Sequence, residues 1–125
     1  MAAIVMVVDD SQMVRQQVGK ALVGAGFSVI EAHDGADALG KLSNVSGATG
    51  PSLIVLDVNM PNMGGFEFLQ NLRARPELAA LPVVMLTTEG DPKLMQQAKA
   101  LGAKGWIVKP FRPELLIAAA RKLTQ

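Results

Sequence analysis

Apolar residues along the 125-residue chain fall into two alternating kinds of run. Five runs are short, compact and rich in Val and Ile: IVMVV from Ile4, FSVIEA from Phe27, LIVLD from Leu53, PVVMLT from Pro82 and GWIVK from Gly105. The first, third and fourth are nearly continuous, which is the pattern of strands buried on both faces. Between them, apolar residues recur every three to four positions: Met13-Val14-Val18-Leu22, Leu39-Leu42, Phe68-Leu69-Leu72, Leu94-Ala98-Leu101 and Leu115-Leu116-Ala119-Leu123. That spacing predicts helices. Gly24, Gly26, Gly47, Gly50 and Gly102 sit where helices would end, while Pro92 and Pro113 sit where two would begin.

Five strands alternating with five helices predict an α/β fold, a parallel sheet with helices on both faces. Ligands of such sheets bind beyond the carboxyl ends of the strands. The polar residues at those ends are Asp9 and Asp10, Asp57, Thr87 and Thr88, and Lys109. The length suits one domain, and no repeat or linker interrupts it. A net charge of +1 without a basic block gives no electrostatic support for nucleic-acid binding. With no cysteine, disulfides, a thiol nucleophile and a thiolate metal site are excluded, and a single histidine, His33, argues against a multi-histidine site. The N-terminal apolar run is too short for a signal peptide and no run spans a membrane, so a cytoplasmic protein without membrane insertion is the expectation.

Each polar residue taken alone has an ordinary reading. Asp10 or Ser11 would cap the following helix. Asp57 would cap a loop, the threonines would be strand residues, and Lys109 a surface charge. Taken together they say more, because the first and third strands are neighbours in the common windings of such a sheet. Three carboxylates would then converge. Two like charges ~4 Å apart repel by about 1 kcal/mol in water and about 4 kcal/mol near a protein surface. Such a cluster needs a cation or shifted pKa values, and an all-oxygen set suits a hard ion such as Mg2+. A lysine and a hydroxyl on the other side of the same mouth add donors for an anion. Metal, carboxylate, hydroxyl and lysine together describe phosphoryl transfer.

VVDDS, LDVNMPNMGG, VVMLTTE and GWIVKPF, in that order, resemble the motifs of the response-regulator receiver family, with the single-domain chemotaxis members nearest. The resemblance covers residues 1–125 as one receiver domain. It implies a (βα)5 flavodoxin-like three-layer sandwich with strand order 2-1-3-4-5. It implies that Asp57 accepts a phosphoryl group from a histidine kinase. Asp10 and Asp57 would bind Mg2+ by their side chains, Asp9 through water, and Asn59 by its backbone carbonyl. The Thr87 hydroxyl and Lys109 ammonium would hold the phosphoryl oxygens. Trp106 would be the aromatic switch, where the family usually has Tyr or Phe. Asn59 and Glu89 would govern attack by water and hence the lifetime of the phosphate. A cis Lys109-Pro110 bond is also frequent in the family, and Gly64 stands where the family often has Asp.

The resemblance makes the chain a phosphoacceptor that assists its own phosphorylation and dephosphorylation, rather than an enzyme. It is expected to act as a monomer and to signal by binding a downstream protein, in chemotaxis or a similar pathway. The expected partner face comprises the fourth helix, fifth strand and fifth helix, with Lys93, Met95 and Lys99 presented by the helix and Trp106 on the adjoining strand. Alternatives are a receiver module of a longer regulator, or a phosphorelay shuttle. A haloacid-dehalogenase-like phosphatase would use a similar Asp, Mg2+, Thr and Lys. It would need a second Asp where Asn59 stands, and a substrate-selecting cap. A flavodoxin-like cofactor binder would need a phosphate loop after IVMVV, and none follows.

Overall fold

The computed structural model describes residues 3–43 and 50–125. Strands and helices alternate: β1 (Ile4–Val8), α1 (Gln12–Gly24), β2 (Ser28–Ala32), α2 (Gly35–Leu42), β3 (Leu53–Leu56), α3 (Gly65–Ala74), β4 (Val83–Thr87), α4 (Pro92–Ala100), β5 (Gly105–Val108) and α5 (Pro113–Leu123). All four strand pairings are parallel, and the sheet order is β2-β1-β3-β4-β5. This is the order that the resemblance implies.

The two-residue period of a strand divides the core into two layers. Met6 and Val8 of β1, Ile54 and Leu56 of β3, and Val83 and Met85 of β4 face one side. There they pack with Leu39 and Leu42 of α2, Phe68, Leu69 and Leu72 of α3, and Ala98 of α4. The alternate residues Val5, Val7, Leu53, Val55, Val84 and Leu86 face the other side, against Val18 and Leu22 of α1 and Leu116 and Ala120 of α5. Near-continuous apolar runs therefore mark the three central strands, whereas the edge strands β2 and β5 are only partly buried.

Two stripe residues lie elsewhere than the spacing suggested. Met13 is 65% exposed and Leu115 is 52% exposed. Each precedes an inward residue, Val14 or Leu116, by one position. One position is about 100° of helix rotation, too far for both to face one layer. Ala120 replaces Leu115 in the buried stripe of α5. Much of the helix punctuation holds, although among the described residues Gly50 borders no helix and lies just before β3. Ser11, Asp34 and Asp91 accept backbone N–H groups at the starts of α1, α2 and α4, and Pro92 and Pro113 open their helices. Gly26 and Gly102 adopt positive φ of 98° and 85° just past α1 and α4. Gly47 lies outside the described residues.

Candidate functional site

Strand register assembles the mouth of the sheet. Val8 pairs with Leu56, and the Asp57 N–H donates to the Val8 carbonyl at 3.0 Å. The residues that follow these two strands, Asp9 and Asp57, are thereby brought side by side. Thr87 pairs with Val108, and the Lys109 N–H donates to the Thr87 carbonyl at 2.9 Å. Lys109 therefore enters the same mouth from the opposite side of β4. The Lys109-Pro110 bond is cis.

Carboxylate oxygens of Asp9, Asp10 and Asp57 all lie within 4.8 Å of one another. Asp9 and Asp57 are buried and Asp10 is exposed. The Lys109 ammonium donates to Asp9 Oδ2 at 2.7 Å and stands 3.5 Å from Asp57 Oδ2. Asp9 Oδ1 accepts the Ser11 N–H at 2.9 Å, and Asp57 Oδ1 accepts the Val58 N–H at 2.8 Å. Burial pushes the Asp57 carboxyl above its ordinary pKa. The Asp9 charge adds to that rise, while a hydrogen bond from Thr87, the Lys109 charge and the Val58 N–H oppose it. Three carboxylates against one ammonium leave two negative charges uncompensated. An all-oxygen donor set carrying that excess fits a hard divalent cation such as Mg2+.

Above the carboxylates, two connecting loops are tied together. Asn59 Nδ2 donates to Glu89 Oε1 at 2.9 Å, so the two residues to which the family resemblance assigns control of phosphate lifetime bond to each other. The Glu89 N–H donates to Thr87 Oγ1 at 3.3 Å, and the Trp106 indole N–H donates to the Glu89 carbonyl at 2.9 Å. Thr87, Glu89 and Trp106 thus form one chain of contacts running from the buried mouth to β5. Lys93, Met95 and Lys99 are exposed on α4. Met95, Lys99 and Trp106, with Lys104, line a shallow groove of about 240 Å3.

Several contacts were not legible in the sequence. Arg15 reaches from α1 to the Asp9 carbonyl at 2.7 Å and also pairs with Glu31 at 3.0 Å. An apolar groove of about 810 Å3 lies between α1 and the β5–α5 connection. Val14, Lys20, Ala21, Lys109, Pro110 and Phe111 contribute to it. Nothing in the local pattern distinguishes these residues from the helix stripe and surface charges to which they otherwise belong. Asp34, which precedes Gly35, is buried and joined to Asn62. Its sequence signal is the Asp-Gly pair ahead of an apolar run, which reads equally well as a simple helix start.

The response regulator receiver domain model matches residues 5–121. The chain is 34% identical over 112 residues to the Chemotaxis protein CheY1 of Helicobacter pylori, covering 89% of this chain and 88% of that one. It is 36% identical over 119 residues to a probable transcriptional regulator, ycf27, of Cyanophora paradoxa; the match takes in 95% of this chain but 47%, about half, of that relative's length. Among solved structures, the chemotaxis protein CheY4 of Vibrio cholerae superposes with a TM-score of 0.89 at 42% identity, covering 98% of this chain and 99% of the other. Sequence, topology and the strand-end carboxylates agree, and the chain belongs to the response regulator receiver domain family.

Proposed function

We propose that residues 1–125 act as one receiver domain in which Asp57 accepts a phosphoryl group from the phosphohistidine of a histidine kinase. The observation that carries this reading is the position of Asp57. It follows β3 directly, is buried, shares a 4.8 Å cluster with Asp9 and Asp10, and lies 3.5 Å from the Lys109 ammonium. A carboxylate oxygen of Asp57 attacks phosphorus, an O–P bond forms, and the N–P bond to the kinase histidine breaks, returning its electron pair to the imidazole. Lys109 and the Thr87 hydroxyl then hold oxygens of the transferred group, which requires Lys109 to leave Asp9. Asp9, Asp10, Asp57 and the Asn59 carbonyl would hold Mg2+, which when bound neutralises charge on the transferring group.

The phosphorylated chain signals by binding a downstream protein, and the domain itself is a phosphoacceptor rather than an enzyme acting on other molecules. Its exposed α4 and the groove beside Trp106 support the α4–β5–α5 side as the output face. Similarity over nearly the full length of chemotaxis proteins supports a motility-like process. The match to half of a probable transcriptional regulator supports the second reading, a receiver module of a longer chain.

The test is incubation with acetyl phosphate, with and without Mg2+, followed by intact-mass measurement. One phosphoryl group should appear only with Mg2+ and should be absent from Asp57→Asn. Undiminished, stable phosphorylation of Asp57→Asn would refute the assignment.

A further inference from the structure

Asp34 is a carboxylate with 2% of its surface exposed, in the connection between β2 and α2. One oxygen caps α2 by accepting the Asp37 N–H at 2.8 Å. Capping requires only one acceptor, and exposed Ser or Thr would supply it. The second oxygen accepts Asn62 Nδ2 at 2.9 Å, 28 residues along the chain. Next to it the Gly35 N–H donates to the Met63 carbonyl at 3.0 Å. The approach is close enough that a Cβ on Gly35 would lie 2.7 Å from Met63 Cγ and 2.9 Å from the Met63 carbonyl oxygen. Asn62 itself has φ of 65°, the left-handed region that L residues rarely adopt and Asn tolerates best. A strained residue, a buried charge and a close backbone approach therefore coincide at one point of the β3–α3 loop.

The same loop is pinned at its stem, where the Gly65 N–H donates to the Val58 carbonyl at 2.8 Å. Asn59 lies between the two anchor points. The bond from Asn62, followed by the Asp37 N–H, holds the Asp34 carboxyl below its ordinary pKa, so it remains an anion and accepts both bonds in their stronger, charge-assisted form.

We propose that Asp34 and Asn62 form a clasp that positions the β3–α3 loop, and with it the Asn59 carbonyl, for divalent-cation binding beside Asp57. This rests on the function proposed above. Asp34 is a positioning residue, since it touches neither the carboxylate cluster nor Lys109. Groups that orient metal ligands from behind change affinity by about 10- to 100-fold when lost.

Two substitutions separate the clasp from the cap. Asp34→Ser keeps a capping oxygen but is too short for Asn62. Asn62→Gly keeps the left-handed backbone and leaves the cap untouched. Mg2+ affinity by calorimetry should fall about 10-fold in both. Amide exchange of residues 58–63 should accelerate while that of β3 is unchanged, and phosphorylation by acetyl phosphate should recover at saturating Mg2+. Asp34→Asn keeps the cap through its carbonyl oxygen and, with the Asn62 amide turned to present its own oxygen, remakes the clasp as an NH2-to-carbonyl bond, so affinity should return to within about threefold. Mg2+ affinity and loop exchange within twofold of wild type in Asn62→Gly would overturn the clasp, even if Asp34→Ser fails to fold. Wild-type protein that binds no Mg2+ and takes no phosphoryl group would instead refute the underlying function, before any substitution is compared.

Discussion

Gly65, the first residue of α3, packs closely against the backbone of Asp57. A Cβ there would lie 2.2 Å from the Asp57 carbonyl oxygen and 3.0 Å from Val58 Cα, both backbone atoms that cannot swing aside. Gly64, one position earlier, would bring its Cβ only to 3.2 Å from the Val58 carbonyl oxygen. The pair of glycines in NMGG therefore has unequal duties. Gly65→Ala is expected to lose about 1–3 kcal/mol by overpacking, and to slow phosphorylation of Asp57 by displacing its backbone. Gly64→Ala should do less of both. Urea unfolding and the rate of phosphoryl uptake from acetyl phosphate, measured on each variant, test the ranking. Equal behaviour would mean that the loop yields without moving Asp57.

Among the elements, α3 carries at its last turn a side chain that bonds four backbone carbonyls of two neighbouring connections. Arg73 Nε donates to the Leu101 carbonyl at 2.7 Å, Nη1 to Ala79 at 3.0 Å and Leu81 at 2.8 Å, and Nη2 to Gly102 at 3.3 Å. These carbonyls belong to the α3–β4 and α4–β5 connections, so one guanidinium closes the end of the sheet opposite the carboxylates. Its partial burial lowers its pKa without discharging it, because the ordinary value is so high. Gly102, at φ of 85°, lets the α4–β5 turn fit against it, since a Cβ there would lie 3.1 Å from Arg73 Nε. Arg73→Met should cost about 2–3 kcal/mol through lost charged hydrogen bonds and carbonyls left without a partner. Arg73→Lys should recover only part of it, because an ammonium lacks the planar fork. Thermal or denaturant unfolding reads the difference directly.

At the scale of the whole molecule, the proposed output face on the α4–β5–α5 side requires a route from Asp57. The contacts supply a short path: Thr87, buried at the end of β4, then Glu89, then the indole of Trp106 on the neighbouring strand. If the Thr87 hydroxyl turns toward a phosphoryl oxygen, its bond from the Glu89 N–H is lost, and the anchor of Trp106 shifts with Glu89. Such a turn would make Thr87, Glu89 and Trp106 a two-state element biased by a ligand. Trp106 is the only tryptophan, so its emission reports alone. Beryllofluoride with Mg2+ should change that emission in wild type and change it less in Thr87→Ala. Identical spectra with and without beryllofluoride would remove Trp106 from the path.

Elements and mouth were legible in the order of residues because both depend on local pattern. Continuous runs at Val5–Val8, Leu53–Leu56 and Val83–Thr87 require two-sided burial, and only helices over both faces provide it. Once strands run parallel, the polar residues that end them share one edge, so the order of residues alone places Asp9, Asp10, Asp57, Thr87 and Lys109 together. What only the tertiary structure decided is which partner each polar atom takes. Asp9 with Lys109, Asn59 with Glu89, Asp34 with Asn62 and Arg73 with the Leu101 and Gly102 carbonyls are meetings between residues distant along the chain. No periodicity encodes such pairs. They follow from register, crossover geometry and the approach of one loop to another, and a hydrogen bond is specified to within a few tenths of an ångström. A hydrophobic stripe tolerates far more, which explains why the stripes of α1 and α5 were readable although Met13 and Leu115 turned out to face solvent.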